Sequence, residues 1–233
     1  MILCAVITAV AAVILVLYLK EKIRAYSPLA LMLKSAVSAL FLATAVSAAF
    51  FSRGNYAYYI IYALVCGMLG DIWLDLKYVY PADDEKYTFA GFMAFGCGHI
   101  VFMAGMLAVY ADLSRPGTIL VPLLIGAVAG IVTGASGKLM KLEYGKFKTI
   151  VMVYGGLLFG MTVLAGSLAL VYGLSEPTLN LMFIGGVLFA LSDLILSGTY
   201  FGEGKDRPID LIFNLTSYYA AQFVIAWAAL FAK

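Results

Sequence analysis

Phe189-Ala190-Leu191-Ser192-Asp193-Leu194-Ile195-Leu196-Ser197 sets one carboxylate inside an apolar run that extends from about residue 179 to residue 200. A run of that length matches a helix that crosses a bilayer. An aspartate inside such a helix costs about 2.5–3.5 kcal/mol on insertion scales, so it needs a partner, a cavity or a task. Gly67-Met68-Leu69-Gly70-Asp71-Ile72-Trp73-Leu74-Asp75 poses the same problem in a second run.

The rest of the chain is built like these two stretches. Of its 233 residues 64% are hydrophobic and 12% charged, with a mean hydropathy of +1.00, whereas soluble domains carry about 25% charged residues. Apolar runs of helical length fall at 2–19, 29–51, 56–79, 88–110, 117–136, 148–173, 178–200 and 209–232. Pro28, Gly54, Pro81, Pro116, Gly145, Pro177 and Pro208 lie in or beside the intervening turns. The expected fold is all-α: a polytopic membrane helix bundle of about eight transmembrane helices, one domain over residues 1–233, with no soluble domain. The first run lacks a basic leader and a clear small-residue cleavage site, so it is expected to be a retained span. Gly126, Gly130, Gly155-Gly156 and Gly185-Gly186 fall within spans, where small residues let helices approach closely.

Several function classes drop out. A net charge of +2 without a basic cluster argues against a nucleic-acid partner. Cys4, Cys66 and Cys97 sit in apolar runs without metal or disulfide spacing and are expected to pack in the core. His99 is the only histidine, which rules out three-histidine zinc chemistry, and no metal or cofactor is expected.

Orientation follows from lysine and arginine. Lys20, Lys22, Arg24, Lys77, Lys86, Lys138, Lys141, Lys146, Lys148, Lys205 and Arg207 fall on one side of an eight-span map, while Arg53, Arg115 and Lys233 fall on the other. The positive-inside rule makes the first side cytoplasmic in a multi-pass protein of the cell membrane, with both termini outside. Tyr56, Tyr58, Tyr59, Tyr62, Tyr78 and Tyr80 crowd the expected interfaces as an aromatic belt would.

Asp71 and Asp75 are four residues apart and share a helical face. Asp71 lies roughly 9 Å, and Asp193 roughly 10 Å, inside the cytoplasmic end of its run, counted at the helical rise per residue. Two aspartates at matching depth on different helices meet the first requirement of a shared site. The competing role for each is structural, as the partner of a lysine such as Lys34 or as a cap on a broken helix. Asp75 is close enough to the interface to reach water. In the last run Asp210, Asn214, Tyr218 and Gln222 recur every fourth residue and form one polar stripe, bordered by Tyr219. That stripe lines a cavity or ties helices together. Tyr154, Thr162 and Ser167 in the sixth run are weaker polar candidates with packing roles open to them.

Four stretches in order give a resemblance over nearly the whole chain: Leu69-Gly70-Asp71-Ile72-Trp73-Leu74, Phe89-Ala90-Gly91-Phe92-Met93-Ala94-Phe95-Gly96-Cys97-Gly98-His99, Gly185-Gly186-Val187-Leu188-Phe189-Ala190-Leu191-Ser192-Asp193 and Tyr218-Tyr219-Ala220-Ala221-Gln222. With Lys34 and Tyr154, they resemble the lysoplasmalogenase, or YhhN-type, membrane proteins. The chain departs from many relatives at Lys34-Ser35, where lysine-proline is expected. The resemblance implies an eight-helix bundle that hydrolyses the vinyl-ether bond of lysoplasmalogens to a fatty aldehyde and a glycerophospho-ethanolamine or -choline. It implies Asp71 and Asp193 as catalytic carboxylates and a lysophospholipid substrate drawn from membrane lipids. Lys34 is then a candidate for the phosphate, with His99, Tyr154, Ser192, Asn214, Tyr218, Tyr219 and Gln222 around the substrate.

The chemistry suits two carboxylates. Vinyl-ether hydrolysis begins with proton transfer to the β-carbon, and water captures the resulting oxocarbenium ion. A neutral carboxylic acid and an ionised neighbour divide that work between them. Two other functions fit an aspartate pair among membrane helices. One is an intramembrane aspartyl protease, whose tyrosine-aspartate and proline-alanine-leucine motifs are missing here. The other is a small proton-coupled transporter, which would be expected to show repeat symmetry or paired broken helices.

Overall fold

A computed structural model describes residues 1–25, 27–52, 54–202 and 207–233. Eight α-helices follow one another among these residues: α1 (Ile2–Arg24), α2 (Pro28–Ser52), α3 (Asn55–Val79), α4 (Asp84–Tyr110), α5 (Gly117–Leu139), α6 (Lys148–Val171), α7 (Pro177–Phe201) and α8 (Pro208–Ala228). All eight lie in segments long and apolar enough to cross a membrane, which makes this a multi-pass helical membrane protein. Pro28, Pro177 and Pro208 each occupy a first helical position, where the missing N–H has no intrahelical acceptor to lose. Pro81–Asp83 forms a 3-10 turn ahead of α4, and Ala229–Phe231 a second one that prolongs α8.

The helices overrun the apolar runs where basic side chains flank them. α1 continues to Arg24, so Lys20, Lys22 and Arg24 ride its last turns rather than a loop. Lys77, Lys86, Lys138 and Lys148 likewise belong to helices, and Lys141, Lys146 and Arg207 to connections. Lys205 and Arg53, which also entered the orientation argument, lie outside the described residues. Long basic side chains allow such overrun because the stem stays apolar while the charge seeks a polar neighbour.

Successive helices pack on each other with the exception of α4 and α5, and α2 and α6 are the structural centres. α2 packs on α1, α3 and α8, and α6 packs on α4, α5 and α7. α5 differs from the others. Its buried residues are Pro122, Gly126, Gly130, Gly134 and Gly137, nearly all one turn apart, and it packs chiefly on α6. A Cβ on Gly126 would stand 2.6 Å from Gly160 Cα, and one on Gly130 would stand 2.5 Å from Met152 O. The helices therefore meet backbone to backbone, as small residues permit. Gly185 and Gly186 instead make room on α7 for side chains, Ile225 of α8 and Thr162 of α6.

Both chain ends lie on one face. Lys233 O accepts from Tyr56 N at 2.8 Å, and its side chain pairs with Glu176 in the α6–α7 connection. On the opposite face the α5–α6 connection is tied to the end of α7: Glu143 N donates to Phe201 O at 2.7 Å, and Tyr144 packs against Phe201 with ring centroids 5.0 Å apart.

Two expectations about individual residues change. Tyr56 is fully buried, its hydroxyl 3.4 Å from Phe102 O, so it belongs to the core; Tyr58, Tyr62 and Tyr80 are exposed. Cys4 is buried, but Cys66 is partly exposed and Cys97 exposed. Glycines Gly96 and Gly98 face inward on α4 and turn Cys97 out.

Candidate functional site

The polar residues of six helices converge in the half of the bundle nearer the lysine-rich face. Asp71 is buried on α3 between α2 and α8. Its Oδ1 lies 3.3 Å from Lys34 Nζ, and its Oδ2 accepts from Ser38 Oγ at 2.6 Å and from Tyr218 OH at 2.7 Å. Gln222, one turn beyond Tyr218 on α8, donates from Nε2 to that hydroxyl at 2.9 Å. A buried carboxylate is tolerable when its charge is matched and its oxygens accept hydrogen bonds, and Asp71 has both.

Asp75 sits one turn further along α3. Its Oδ1 pairs with Lys22 Nζ at 3.0 Å and with Lys34 Nζ at 3.3 Å, and Oδ2 accepts from Tyr18 OH at 3.2 Å. The expectation that Asp75 reaches water is therefore corrected: it is 4% exposed. Lysine pairing, the structural role open to both aspartates, holds for Asp75 outright and applies to Asp71 in part. Lys34 bridges the two carboxylates, so α1, α2 and α3 meet in one buried network of charges.

Asp193 stands apart from that network. Its Oδ2 accepts from Tyr154 OH of α6 at 2.5 Å, and no lysine or arginine pairs with it among the described residues. Phe189, one turn before it, packs edge-on against Tyr218, with centroids 5.4 Å apart, and against His99 at 5.1 Å. Asn214 Nδ2 donates to Ser192 O at 2.7 Å and fixes α7 to α8 at this level.

Asp71 and Asp193 open onto a common cavity of about 480 Å³, together with Lys22, Lys34, Asp75, Tyr154, Ser192, Asn214 and Tyr218. That volume is ordinary for a small-ligand site. His99, Tyr219 and Gln222, expected around the substrate, do not line it. Gln222 supports Tyr218 from behind, and Tyr219 OH lies 3.3 Å from Ser38 Oγ and 3.4 Å from Lys34 O. His99 is buried between the rings of Phe189 and Tyr154, and neither ring nitrogen has a hydrogen-bond partner among the described residues. Of the polar stripe on α8, Asp210 leaves the interior to pair with Arg207 at 2.8 Å. Thr162 bonds to Leu158 O in its own helix and Ser167 to Thr118 O of α5, which are packing contacts.

Sequence reading missed Tyr18, Lys22 and Ser38, and left Asp75 without a role. One signal was present. Tyr18/Lys22, Lys34/Ser38, Asp71/Asp75 and Tyr218/Gln222 are four pairs at i,i+4, each setting two polar groups on one face of an apolar helix. Ser38 and Tyr18 escape notice singly because neither is costly in a membrane helix.

The motif glycines also find their reasons here. A Cβ on Gly70 would lie 2.6 Å from the ring of Phe95, and one on Gly98 would lie 3.0 Å from Ala63 O. Gly70 lets Phe95 of α4 lie against α3 beside Tyr218, with 6.0 Å between the ring centroids. Among the described residues no cluster of three or more His, Cys, Asp and Glu side chains could hold a metal.

No curated protein and no solved structure matches the chain. A family model does, over residues 29–229, which takes in Lys34, Asp71, Tyr154, Asp193 and Tyr218 and leaves out α1 with Tyr18 and Lys22. The chain belongs to the YhhN family.

Proposed function

We propose that the protein is an intramembrane hydrolase that cleaves the vinyl-ether bond of lysoplasmalogens, releasing a fatty aldehyde and a glycerophospho-ethanolamine or -choline. One observation carries the reading: Asp71 and Asp193, on α3 and α7, line one cavity but have opposite surroundings. Asp71 has a lysine and two hydroxyl donors on it, the setting of an anion. Asp193 has a tyrosine hydroxyl on Oδ2 and no cation paired with it among the described residues. Two carboxyls in contrasting environments are what an acid and its anionic partner require.

In this reading Asp193 carries the proton on Oδ1 and gives it to the β-carbon of the enol ether. The C=C π electrons form the new C–H bond, and the ether oxygen supplies electrons to the α-carbon, giving an oxocarbenium ion. Asp71 stabilises that cation across the cavity. Water adds to the α-carbon and gives up a proton to the Asp193 carboxylate, which restores the acid. The hemiacetal then collapses to the aldehyde and the free glycerol hydroxyl. No cofactor or metal enters these steps. The end of the cavity where Lys22 and Lys34 meet Asp71 and Asp75 carries both signs of charge and suits a zwitterionic phosphate head group, and by the positive-inside argument that end faces the cytoplasm.

The test is aldehyde release from a 1-alkenyl lysophospholipid by the purified protein, with Asp71→Asn and Asp193→Asn variants shown to be folded. Loss of hydrolysis in both supports the reading. Full activity in either variant removes the aspartate pair from the mechanism, and proton uptake into proteoliposomes without hydrolysis would favour transport.

A further inference from the structure

We infer that the substrate's hydrocarbon chain enters from the bilayer, through a lateral trough floored by α6 and walled by α5 and α7. The inference rests on the proposed reading only in taking a one-chain amphiphile as the ligand.

The helix order produces the trough. α5 and α7 both pack on α6, and each contributes wall residues to the cavity. The floor comes from Gly155, Leu158 and Phe159 of α6. Gly155 lets Thr133 of α5 come close, a Cβ there standing 3.1 Å from Thr133 Oγ1, and the neighbouring Tyr154 reaches Asp193. α5 is bound to α6 by its glycine stripe, which leaves its larger side chains free to face the trough and the membrane.

Where the mouth lies follows from exposure. Ile125, Val128 and Val132 of α5 and Leu194 of α7 line the cavity, yet they are 45%, 59%, 56% and 52% exposed. Side chains that belong at once to a cavity and to the outer surface mark its rim. Val128 and Val132 stand roughly 17 and 10 Å from the end of α5 at the helical rise per residue, which is membrane depth. At the lysine-rich face, beyond the rim, the Glu143–Phe201 hydrogen bond and the Tyr144–Phe201 ring contact join the α5–α6 connection to α7. The described residues thus bridge α5 and α7 at the aqueous end, while the exposed rim residues lie along the side.

Its lining divides by chemistry. Ile125, Val128, Leu158 and Phe159 make one end apolar, whereas Lys22, Lys34, Asp71 and Asp75 make the other end charged. An amphiphile with a zwitterionic phosphate head and one chain matches that division, since the charged end offers both lysines and carboxylates. Its linkage carbon would then lie between the two ends, where Asp193 and Tyr154 are.

The experiment uses the full chain in nanodiscs and an alkyl-ether lysophosphatidylethanolamine carrying a diazirine at the chain terminus. This probe has no vinyl bond, so labelling is independent of hydrolysis. Adducts are expected at Ile125, Val128 and Leu158, competed by unlabelled alkyl-ether lysolipid and not by a two-chain phosphatidylethanolamine. Ala129→Trp and, independently, Val132→Trp should reduce the competed labelling roughly tenfold, the scale of discrimination that apolar pocket shape supplies. Labelling spread over exposed α1 residues such as Val13 and Val16, or equal competition by the two-chain lipid, would overturn the trough. Labelling at the trough by a protein that releases no aldehyde would instead sink the hydrolase reading and leave this one standing.

Discussion

Lys34 Nζ lies 3.3 Å from Asp71 Oδ1 with both side chains buried, and the same nitrogen lies 3.3 Å from Asp75. Lys34 is thus the cation that two carboxylates share, whereas Asp75 has Lys22 as well. Removing Lys34 leaves Asp71 as the carboxylate without a lysine. Breaking a buried pair from one side costs about 3–5 kcal/mol, because the remaining charge has no compensation. Lys34→Met should therefore lower the unfolding temperature in detergent sharply and abolish hydrolysis. Adding Asp71→Asn to it should recover most of the stability and none of the activity. A double variant no more stable than the single one would show that the pair does not hold α2 to α3.

Asp193 and Tyr154 allow a second separation. General acid catalysis contributes roughly 10²–10⁴-fold, so Asp193→Asn should reduce turnover by about that factor. Tyr154→Phe removes only the hydroxyl donor on Oδ2. If that hydroxyl orients the acid, turnover should fall by less, with the substrate KM nearly unchanged. Steady-state kinetics on both variants decides this. A KM effect without a kcat effect would assign Tyr154 to binding instead.

Much of this arrangement was legible in the chain, and the reasons are physical. Apolar runs of helical length can hardly be anything but spans, and a carboxylate inside one announces itself by its cost. Asp71 and Asp193 were visible for that reason, as was the stripe of Asn214, Tyr218 and Gln222. Lys22 was not, because a lysine after an apolar run reads as an interfacial flank. Only the fold reveals that its amine turns back to Asp75. Asp75 was misplaced by the same logic: distance along α3 suggested water, but α1 and α2 cover it. The cavity was invisible because its walls come from α5 and α7, helices whose relation depends on both packing against α6.

Tyr218 sits between Gln222 and Asp71 as acceptor from the first and donor to the second. Tyr218→Phe removes a donor to a buried carboxylate, and a hydrogen bond to a charged group is worth about 1.5–3 kcal/mol. It also strands the Gln222 amide. Tyr218→Phe should destabilise the protein and slow hydrolysis. Tyr218→Phe with Gln222→Leu should regain stability through loss of the stranded amide, with activity staying low. Thermal unfolding and aldehyde release on the same preparations measure the two effects, and a double variant as unstable as the single one would rule out the relay.

Gly70 precedes Asp71 for a reason of space. A methyl there would lie 2.6 Å from two ring carbons of Phe95, whose ring packs edge-on against Tyr218 and Phe189. Phe95 cannot yield without moving the tyrosine that holds Asp71. Overpacking of this kind typically costs about 1–3 kcal/mol. Gly70→Ala should therefore lose both stability and activity although it touches no charged group. Gly117→Ala, whose Cβ meets nothing within 4 Å, should do neither. The informative comparison is Gly70→Ala with Phe95→Leu, which makes room for the methyl. Recovery of hydrolysis in that pair would show that Gly70 acts through Phe95 and Tyr218. Without recovery, the glycine is needed for α3 itself, and the Phe95 route is wrong.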